Sequence, residues 1–196
     1  MKITAEVICS MPENESKLAE IARVSTGKSS IFQPIAYPEQ NDLELLRKIY
    51  KMRHFSVFEF AVVQVAVECP LFVSSQLLRY RCGSYLQESR RRVEPERIAE
   101  PQSSYDHYYN KAFESYQALL EGGETKEQAR QVLPVYSPTK FVAQWNLRSL
   151  FHIFDERLNL HTQMATRLTV EEIKKAVAEV FPTLVGFWDK EQEGEE

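Results

Sequence analysis

Residues 60–69 constrain the fold most, because their pattern fits one kind of element. Their sequence, FAVVQVAVEC, is rich in valine and alternates in part between apolar and polar side chains. Such alternation of β-branched residues is typical of a strand with one buried face. Pro70 follows directly, and proline stops a strand and fits the first turn of a helix. The sequence therefore predicts a strand over 60–69 and then a helix, LFVSSQLLRYR, that ends near Gly83.

Helical periodicity dominates much of the remaining chain. Apolar residues recur three and four positions apart, which places them on one face of a helix. Asn14 and Asn41 can cap the first two of these helices, and the pair Gly122-Gly123 provides a stop signal for the third. The predicted helices cover residues 15–23, 42–52, 104–120 and 138–158, with a last one that ends at Phe181.

The other segments predict one more strand and two irregular stretches. The N-terminal MKITAEVICS has the pattern of a first strand. Residues 26–41 contain glycine and prolines and predict a loop, and residues 84–103 are polar with no clear period. Few strands among several helices indicate the α+β class. We expect a single domain over residues 1–196 with a small antiparallel or mixed sheet.

Composition excludes several classes of protein. The chain has no run of about 18 apolar residues, so no membrane span is expected, and its N-terminus is too polar for a secretory signal. Three scattered cysteines, Cys9, Cys69 and Cys82, form no Cys-x-x-Cys pair, which argues against a disulfide framework and a structural zinc site. We expect a cytoplasmic protein without a metal site, in which Cys69 and Cys82 are packing residues.

Positive charge is concentrated in residues 79–92, RYRCGSYLQESRRR, which hold five arginines although the formal net charge of the chain is -4. The guanidinium group offers a planar fork that binds phosphate oxygens in pairs. Gln76 lies three positions before Arg79, on the same face of the predicted helix. Ser89 adds a hydroxyl donor among the arginines. These features favour a phosphate pocket over the alternative, a solvated run that pairs with nearby glutamates.

The acidic net charge also bears on the class of ligand. Non-specific binding of nucleic acid depends on the neutralisation of many phosphates by a broadly basic surface. One basic pocket in an acidic protein fits a small phosphorylated ligand better, so nucleic acid is an unlikely partner.

The arginine segment carries a resemblance to a known family. Arg79-Tyr80-Arg81, followed after seven residues by Ser89, resembles the signature of the flavin-dependent thymidylate synthases, which is Arg-His-Arg, seven residues, then Ser.

Neighbouring segments strengthen the resemblance. The stretch HFSVFEF ahead of the valine-rich strand and PLFVSSQLLR after it are similar to family segments, with matching intervals. Downstream, NLRS from Asn146 and the pattern R-x-x-x-H-x-Q-x-x-x-R from Arg157 match the family's C-terminal helical segment. The resemblance covers roughly residues 50–92 and 133–182.

The resemblance implies an enzyme that converts dUMP to dTMP. It further implies FAD as cofactor, with methylenetetrahydrofolate and NADPH as co-substrates that supply the methylene group and the reducing hydride. It also implies a homotetramer whose active sites are built where subunits meet. The flavin carries the redox chemistry in such an enzyme, so no positioned cysteine is required.

The resemblance assigns roles to individual residues. Arg167 matches an arginine that contacts the uracil and stabilises its ionised form, so that C5 becomes nucleophilic, and this implies a catalytic role. The positions that hold the nucleotide, above all its phosphate, correspond to Gln76, Arg79, Gln87, Ser89, Arg90, Arg91, Lys140 and Arg167. The flavin-side positions correspond to His54, Ser56, Arg79, Tyr80, Arg81, Arg157 and His161.

Four departures from the family pattern leave alternatives open. Tyr80 replaces the middle histidine of the signature and does not titrate near neutral pH, and Phe60 replaces a second histidine. Gln87 loses a negative charge, and Lys140 keeps the charge of a phosphate-binding arginine but loses its fork. The alternatives are a relative that acts on UMP or dCMP, as a methylase or hydroxymethylase, and a non-catalytic nucleotide- or RNA-binding protein of the same fold.

Overall fold

The computed structural model describes residues 2–25, 27 and 41–194 of the chain. Within this part, four strands form one antiparallel sheet in the order β1-β2-β4-β3. The strands are β1 (Thr4–Met11), β2 (Val62–Pro70), β3 (Ser84–Gln87) and β4 (Pro138–Asn146). The predicted α+β class and the small antiparallel sheet are therefore confirmed. The predicted loop over 26–41 lies almost entirely outside the described residues.

Eight α-helices and two short 3-10 segments complete the described part of the chain. The helices that lie on one face of the sheet are α1 (Ser16–Val24), α2 (Asp42–Lys51), α3 (Leu71–Leu77), α6 (Leu147–Arg157), α7 (Met164–Val180) and α8 (Pro182–Glu193). Helices α4 (Ser104–Glu121) and α5 (Lys126–Ala129) lie between β3 and β4 in the sequence, and the 3-10 segments cover Phe55–Phe60 and Arg130–Val132. None of the described helices is long and apolar enough to cross a membrane.

One face of the sheet is buried under helices. Along β2 every second residue is buried, from Val63 to Cys69. Along β4 the buried residues alternate in the same way, from Thr139 to Trp145. Because successive side chains of a strand point to opposite faces, all of these lie on one side. They pack with apolar residues of α1, α2, α6, α7 and α8 into the main core.

The opposite face of the sheet is not covered by described residues and is called the open face here. Its central row contains Glu6, Ala66, Val142 and Leu86, which are direct neighbours across the four strands. An adjacent row pairs Glu68 of β2 with Lys140 of β4. A groove of about 620 Å³ runs over these two rows. The open face thus combines apolar side chains with charged ones.

A smaller apolar cluster is built around α4. Tyr109, Phe113 and Tyr116 of α4 pack with Ala129 of α5. A capping box fixes the start of α4: Ser103 accepts from the backbone N–H of Asp106, and the Asp106 carboxylate accepts from the backbone N–H of Ser103. Such a reciprocal cap satisfies two amides that a helix end leaves unpaired. Tyr109 and Asn110 of α4 bind the backbone of Glu96 and Ile98, so α4 holds the segment that follows β3.

Two predicted elements are wrong. The long helix predicted from Pro138 is strand β4 up to Asn146, and only α6 beyond it is helical. Residues 84–87, predicted to be irregular, form the edge strand β3. The helix predicted to end at Phe181 is confirmed as α7, which ends at Val180. It is not the last helix, because α8 begins at Pro182. Cys69 is buried as predicted, whereas Cys82 is exposed.

Gly83 offers a test of the packing beside the sheet. A Cβ atom at this position would lie 2.5 Å from the Cδ1 and Nε1 atoms of Trp145. Trp145 cannot easily move, because it is fully buried and its Nε1–H donates to the Tyr85 hydroxyl at 2.9 Å. We expect Gly83→Ala to lower the free energy of unfolding by about 1–3 kcal/mol, the usual cost of overpacking. Denaturant unfolding measures the change.

Gly186 provides the matched control. It lies inside α8, and no described atom lies within 4 Å of a Cβ added there. Gly186→Ala should raise the stability by roughly 0.5–1 kcal/mol, since alanine loses less backbone entropy in a helix. If Gly83→Ala is as stable as the unchanged protein, the close approach of Gly83 to Trp145 is wrong.

Candidate active site

The end of α3 meets the start of α7 through the side chain of Gln76. Its amide nitrogen donates to the Gln163 side-chain oxygen at 2.8 Å, and its amide oxygen accepts from the Thr166 hydroxyl at 3.1 Å. Arg167 follows in the first turn of α7, where the amide N–H groups of a helix favour negative charge. Its Nε lies 3.6 Å from a Glu171 carboxylate oxygen. Two predicted nucleotide-binding residues are thus brought to one place.

Tyr80, three residues after α3, contacts the end of α6. Its hydroxyl donates to a carboxylate oxygen of Glu156 at 2.6 Å and accepts from Arg157 Nε at 2.6 Å. The Arg157 guanidinium also lies over the Tyr80 ring, 5.4 Å from its centroid. Burial, together with the hydrogen bond to Glu156, raises the pKa of Tyr80 to about 12. The hydroxyl therefore stays protonated at neutral pH and remains a donor.

Ser89 and the arginines that follow it form a turn after the edge strand β3. The backbone N–H groups of Arg92 and Val93 both donate to the Ser89 carbonyl oxygen. Arg91 is 64% exposed, and its guanidinium lies 3.1 Å from a Glu127 carboxylate oxygen of α5. The Ser89 hydroxyl is exposed next to it. The Ser89 hydroxyl oxygen accepts from the backbone N–H of Arg91 at 3.4 Å, and Arg92 is exposed as well. The turn therefore presents an exposed hydroxyl and the accessible guanidinium groups of Arg91 and Arg92 to solvent.

The Arg90 side chain is largely buried, unlike that of Arg91. Its side chain is 12% exposed, and all three guanidinium nitrogens are buried without a hydrogen-bond partner among the described residues. A Glu88 carboxylate oxygen lies 4.0 Å away. The positive charge of Arg90 also opposes the effect of burial, which raises the pKa of Tyr109 to about 12. The three consecutive arginines of the sequence are therefore not equivalent.

Lys140 lies on the open face of the sheet. Its ammonium donates to a Glu96 carboxylate oxygen at 3.3 Å, and Glu68 faces it across the strands. The hydrogen bond to Glu96 raises the pKa of Lys140, and the charges of Glu68 and Glu88 add to the effect. Gln76 and Arg167, by contrast, belong to the helices on the buried side of the sheet. One chain therefore does not collect all of the predicted nucleotide-binding residues on one surface.

Gln87 is held inside the chain. Its amide nitrogen donates to the hydroxyl groups of Ser74 and Thr139, at 2.9 and 3.0 Å. Ser74 is on α3 and Thr139 on β4, so Gln87 ties the edge strand to the helix on the buried side. The predicted role of Gln87 in substrate binding stays a prediction, and its amide nitrogen already has protein partners.

The remaining predicted flavin-side residues are on the surface. Those that are exposed are His54, Ser56, Arg79, Arg81 and His161. Within the described residues, Arg79 and Arg81 have no carboxylate in ion-pair contact, so two guanidinium groups beside Tyr80 remain available to a ligand.

Several residues of the site were missed by sequence reasoning. No role was assigned to Glu156 or His152 from the sequence. The His152 ring packs edge-on against Tyr80, and its Nε2 lies 3.6 Å from a Glu156 carboxylate oxygen. Gln163 belonged to the quoted helical pattern but received no role. The sequence offered one clue to Glu156, which is its position directly before Arg157. No pattern in the sequence connects Glu156 or His152 to Tyr80.

The described residues do not form a metal site. Within residues 2–25, 27 and 41–194, no group of three or more histidine, cysteine or carboxylate side chains is arranged to hold a metal ion. Burial raises the pKa of the Cys69 thiol to about 12, so it is unreactive at neutral pH.

Comparison with known proteins gives one family. The model of the family described as thymidylate synthase complementing protein matches residues 6–183. This range is wider than the motifs, since it includes β1 and α1.

Individual relatives agree with that match. A flavin-dependent thymidylate synthase of Pseudothermotoga lettingae is 30% identical over 182 residues, which are 83% of this chain and 78% of the relative. One from Thermotoga neapolitana is 29% identical over 187 residues, with 86% and 81% covered. Among solved structures, the UMP/dUMP methylase PolB from Streptomyces cacaoi bound with 5-Br dUMP is similar with a TM-score of 0.79 and 27% identity, covering 96% of this chain and 95% of PolB. PolB bound with 5-Br UMP gives a TM-score of 0.72, 26% identity and coverages of 95% and 93%.

Proposed function

Because the chain belongs to the thymidylate synthase complementing protein family, we propose that it methylates dUMP at C5 to give dTMP. The chain is an enzyme of the methyltransferase class. In this proposal, methylenetetrahydrofolate is the source of the one-carbon unit and NADPH is the source of the reducing hydride. Bound FAD supplies the redox chemistry that links the two.

The contact between two distant segments carries the proposal. Gln76 reaches Gln163 and Thr166, and Tyr80 reaches Arg157. These segments are the ones whose motifs resemble nucleotide-side and flavin-side positions of the family. Residues proposed for the nucleotide and for the flavin are therefore neighbours, as a reaction between the two ligands requires.

Arg167 has the proposed role of stabilising negative charge on the uracil. It lies in the first turn of α7, whose backbone amides add to the positive potential. A fixed cation beside a developing anion in a dry site can contribute about 3 kcal/mol to catalysis. Its contact with Glu171 is a single 3.6 Å approach, so the guanidinium keeps donors for a ligand.

The phosphate of the nucleotide has two proposed partners in the turn after β3. The Ser89 hydroxyl is exposed, and the Arg91 guanidinium is accessible with Glu127 as its partner. A dianionic phosphate competes well with one exposed carboxylate, because exposed ion pairs contribute at most about 1 kcal/mol. Arg90 is proposed to act near the same anion, since its buried guanidinium lacks hydrogen-bond partners among the described residues and would gain from a negative charge close by.

The chain also offers groups that suit FAD. Arg79 and Arg81 are exposed cations without a carboxylate partner in the described part of the chain, and Arg157 is fixed beside them on Tyr80. Three guanidinium groups fit the diphosphate and carbonyl oxygens of this cofactor. We propose that these residues, with His54, Ser56 and His161, hold the flavin.

A second candidate substrate is UMP. The observation that favours it is the similarity to PolB, which is called a UMP/dUMP methylase and was solved with analogues of both nucleotides. Turnover with dUMP, UMP and dCMP offered in parallel measures the preference as a ratio of kcat/KM values. We expect dUMP to give the highest value.

Assembly into a homotetramer is proposed to complete the site. Lys140 lies on the open face, while Gln76 and Arg167 lie on the helical side of the same sheet. A nucleotide could contact all three only if a second copy contributes one of the groups. The open face also carries Leu86, which is 77% exposed, beside Val142 and Ala66. An apolar row of this kind favours burial against another copy.

Leu86→Arg tests the open face as the contact between copies. We expect light scattering to give a tetramer for the unchanged protein and a smaller species for Leu86→Arg, because a charge in an apolar interface is costly. Tyr108→Arg is the control, since Tyr108 is 69% exposed on α4, away from the sheet. A monomer that still turns over substrate would refute the shared site, and a Leu86→Arg tetramer would refute this face.

The non-catalytic alternative makes opposite predictions. An enzyme of the proposed kind should be yellow when purified, with flavin absorbance bands, and should bind dUMP. A binding protein of the same fold should be colourless and should bind RNA with a steep dependence on salt. Absorbance spectra and RNA titrations at two salt concentrations separate these outcomes.

A further inference from the structure

We infer that Tyr80 and Glu156 are positioning residues that hold the Arg157 guanidinium toward the flavin, and that the Tyr80 hydroxyl is not itself a flavin contact. This inference rests on the proposed function, since it takes Arg157 to face the cofactor. It assigns a role to Glu156 and changes the expected role of Tyr80 from cofactor contact to support.

The hydroxyl of Tyr80 has no spare hydrogen for a ligand. A phenol carries one hydrogen, and here it is donated to Glu156 at 2.6 Å. The oxygen accepts from Arg157 Nε at 2.6 Å. The side chain is also buried, with the residue only 8% exposed. A cofactor on the surface would find the hydroxyl already engaged on both sides.

Arg157 is fixed from two directions by this arrangement. Its Nε is bound by the Tyr80 hydroxyl, and its guanidinium plane lies over the Tyr80 ring at 5.4 Å. Within the described part of the chain, no carboxylate lies in ion-pair contact with its two terminal nitrogens. Those terminal N–H groups are therefore the donors left for a ligand, and they form a planar pair that suits adjacent oxygen atoms.

Glu156 orients the Tyr80 hydroxyl. Its carboxylate accepts the Tyr80 hydrogen, which leaves the phenol oxygen oriented to accept from Arg157. The His152 imidazole approaches the other carboxylate oxygen at 3.6 Å and packs edge-on against the Tyr80 ring. Three side chains from two segments, Tyr80, Glu156 and His152, thus define the position of the Arg157 guanidinium.

A double-mutant cycle on FAD affinity tests the inference. FAD is titrated into apoprotein and binding is followed by flavin fluorescence, for Tyr80→Phe, Arg157→Met and the double variant. We expect Tyr80→Phe to raise the Kd for FAD by roughly ten- to 150-fold, as for loss of a hydrogen bond to a charged group. In the Arg157→Met background the same change should have almost no effect. Glu156→Gln should weaken FAD binding in the unchanged background only.

Controls separate positioning from general stability. Tyr136→Phe removes another tyrosine–carboxylate hydrogen bond, from Tyr136 to Asp106 at 2.8 Å, and should leave FAD affinity unchanged. If Tyr80→Phe weakened FAD binding equally in both backgrounds, the inference would be overturned and the hydroxyl would be a direct contact. If Tyr80→Phe left FAD affinity unchanged in the otherwise unchanged protein, the inference would also be overturned. If the unchanged protein binds no FAD, the proposed function itself fails, and the inference fails with it.

Discussion

Replacing Arg167 with lysine is expected to lower kcat for dUMP methylation by about ten- to a thousand-fold, with a smaller change in dUMP affinity. The proposed negative charge on the uracil is larger in the transition state than in bound dUMP. An interaction of this kind lowers the barrier more than it tightens binding. Lysine keeps the charge but moves it and removes the planar fork. Steady-state turnover and dUMP titration measure the two effects.

The alternative for Arg167 is a surface ion pair with Glu171, 3.6 Å away. Glu171→Gln is the matched control, since it removes the partner and leaves the arginine. If the ion pair were the whole role, both variants would change turnover slightly and equally. Reduction of bound flavin by NADPH should survive in Arg167→Lys, because that half-reaction needs no ionised uracil. Near-normal dTMP formation by this variant would contradict the catalytic role.

Arg91→Ala is expected to weaken dUMP binding by about 1.5–3 kcal/mol, or roughly ten- to 150-fold in Kd. The physical reason is the loss of a charge-assisted hydrogen bond to phosphate from an accessible guanidinium. FAD affinity should change much less, because Arg91 is not among the residues proposed to hold the flavin. Calorimetric titration with dUMP and with FAD measures both constants.

Glu127→Gln separates the two possible roles of Arg91. The Arg91 guanidinium lies 3.1 Å from Glu127, so the glutamine variant removes the ion pair and keeps the cation. We expect it to bind dUMP as well as the unchanged protein or slightly more tightly. If Arg91→Ala weakened dUMP and FAD equally, or neither, the phosphate assignment would be wrong.

Strand β4 shows where sequence periodicity fails. Phe141 and Trp145 are four positions apart, and this spacing places them on one face of a helix and also on one face of a strand. Both are in the core, but they belong to strand β4, where Ala143 lies between them and Thr139 precedes them on the same buried face. The decisive signal is the strict burial of every second residue from Thr139, which depends on pairing with β2, a contact between distant parts of the chain.

The sequence predicted the candidate site only in part. The family resemblance implied that Gln76 and Arg167 hold the same nucleotide, and both residues lie where α3 meets α7. The sequence could not reveal that Arg90 is buried while Arg91 is accessible, because adjacent side chains diverge only once the turn after β3 is formed. Nor could it reveal the Tyr80–Glu156 hydrogen bond, which joins residues far apart in the chain.

Product formation from dUMP tests the central claim most directly. Purified protein is incubated with dUMP, FAD, NADPH and methylenetetrahydrofolate, and each component is omitted in turn while the product nucleotide is identified by mass spectrometry. The account predicts dTMP in the complete mixture and none when a component is left out, apart from FAD that the protein retains. A flavin-loaded protein that forms no methylated nucleotide from dUMP or UMP would contradict it.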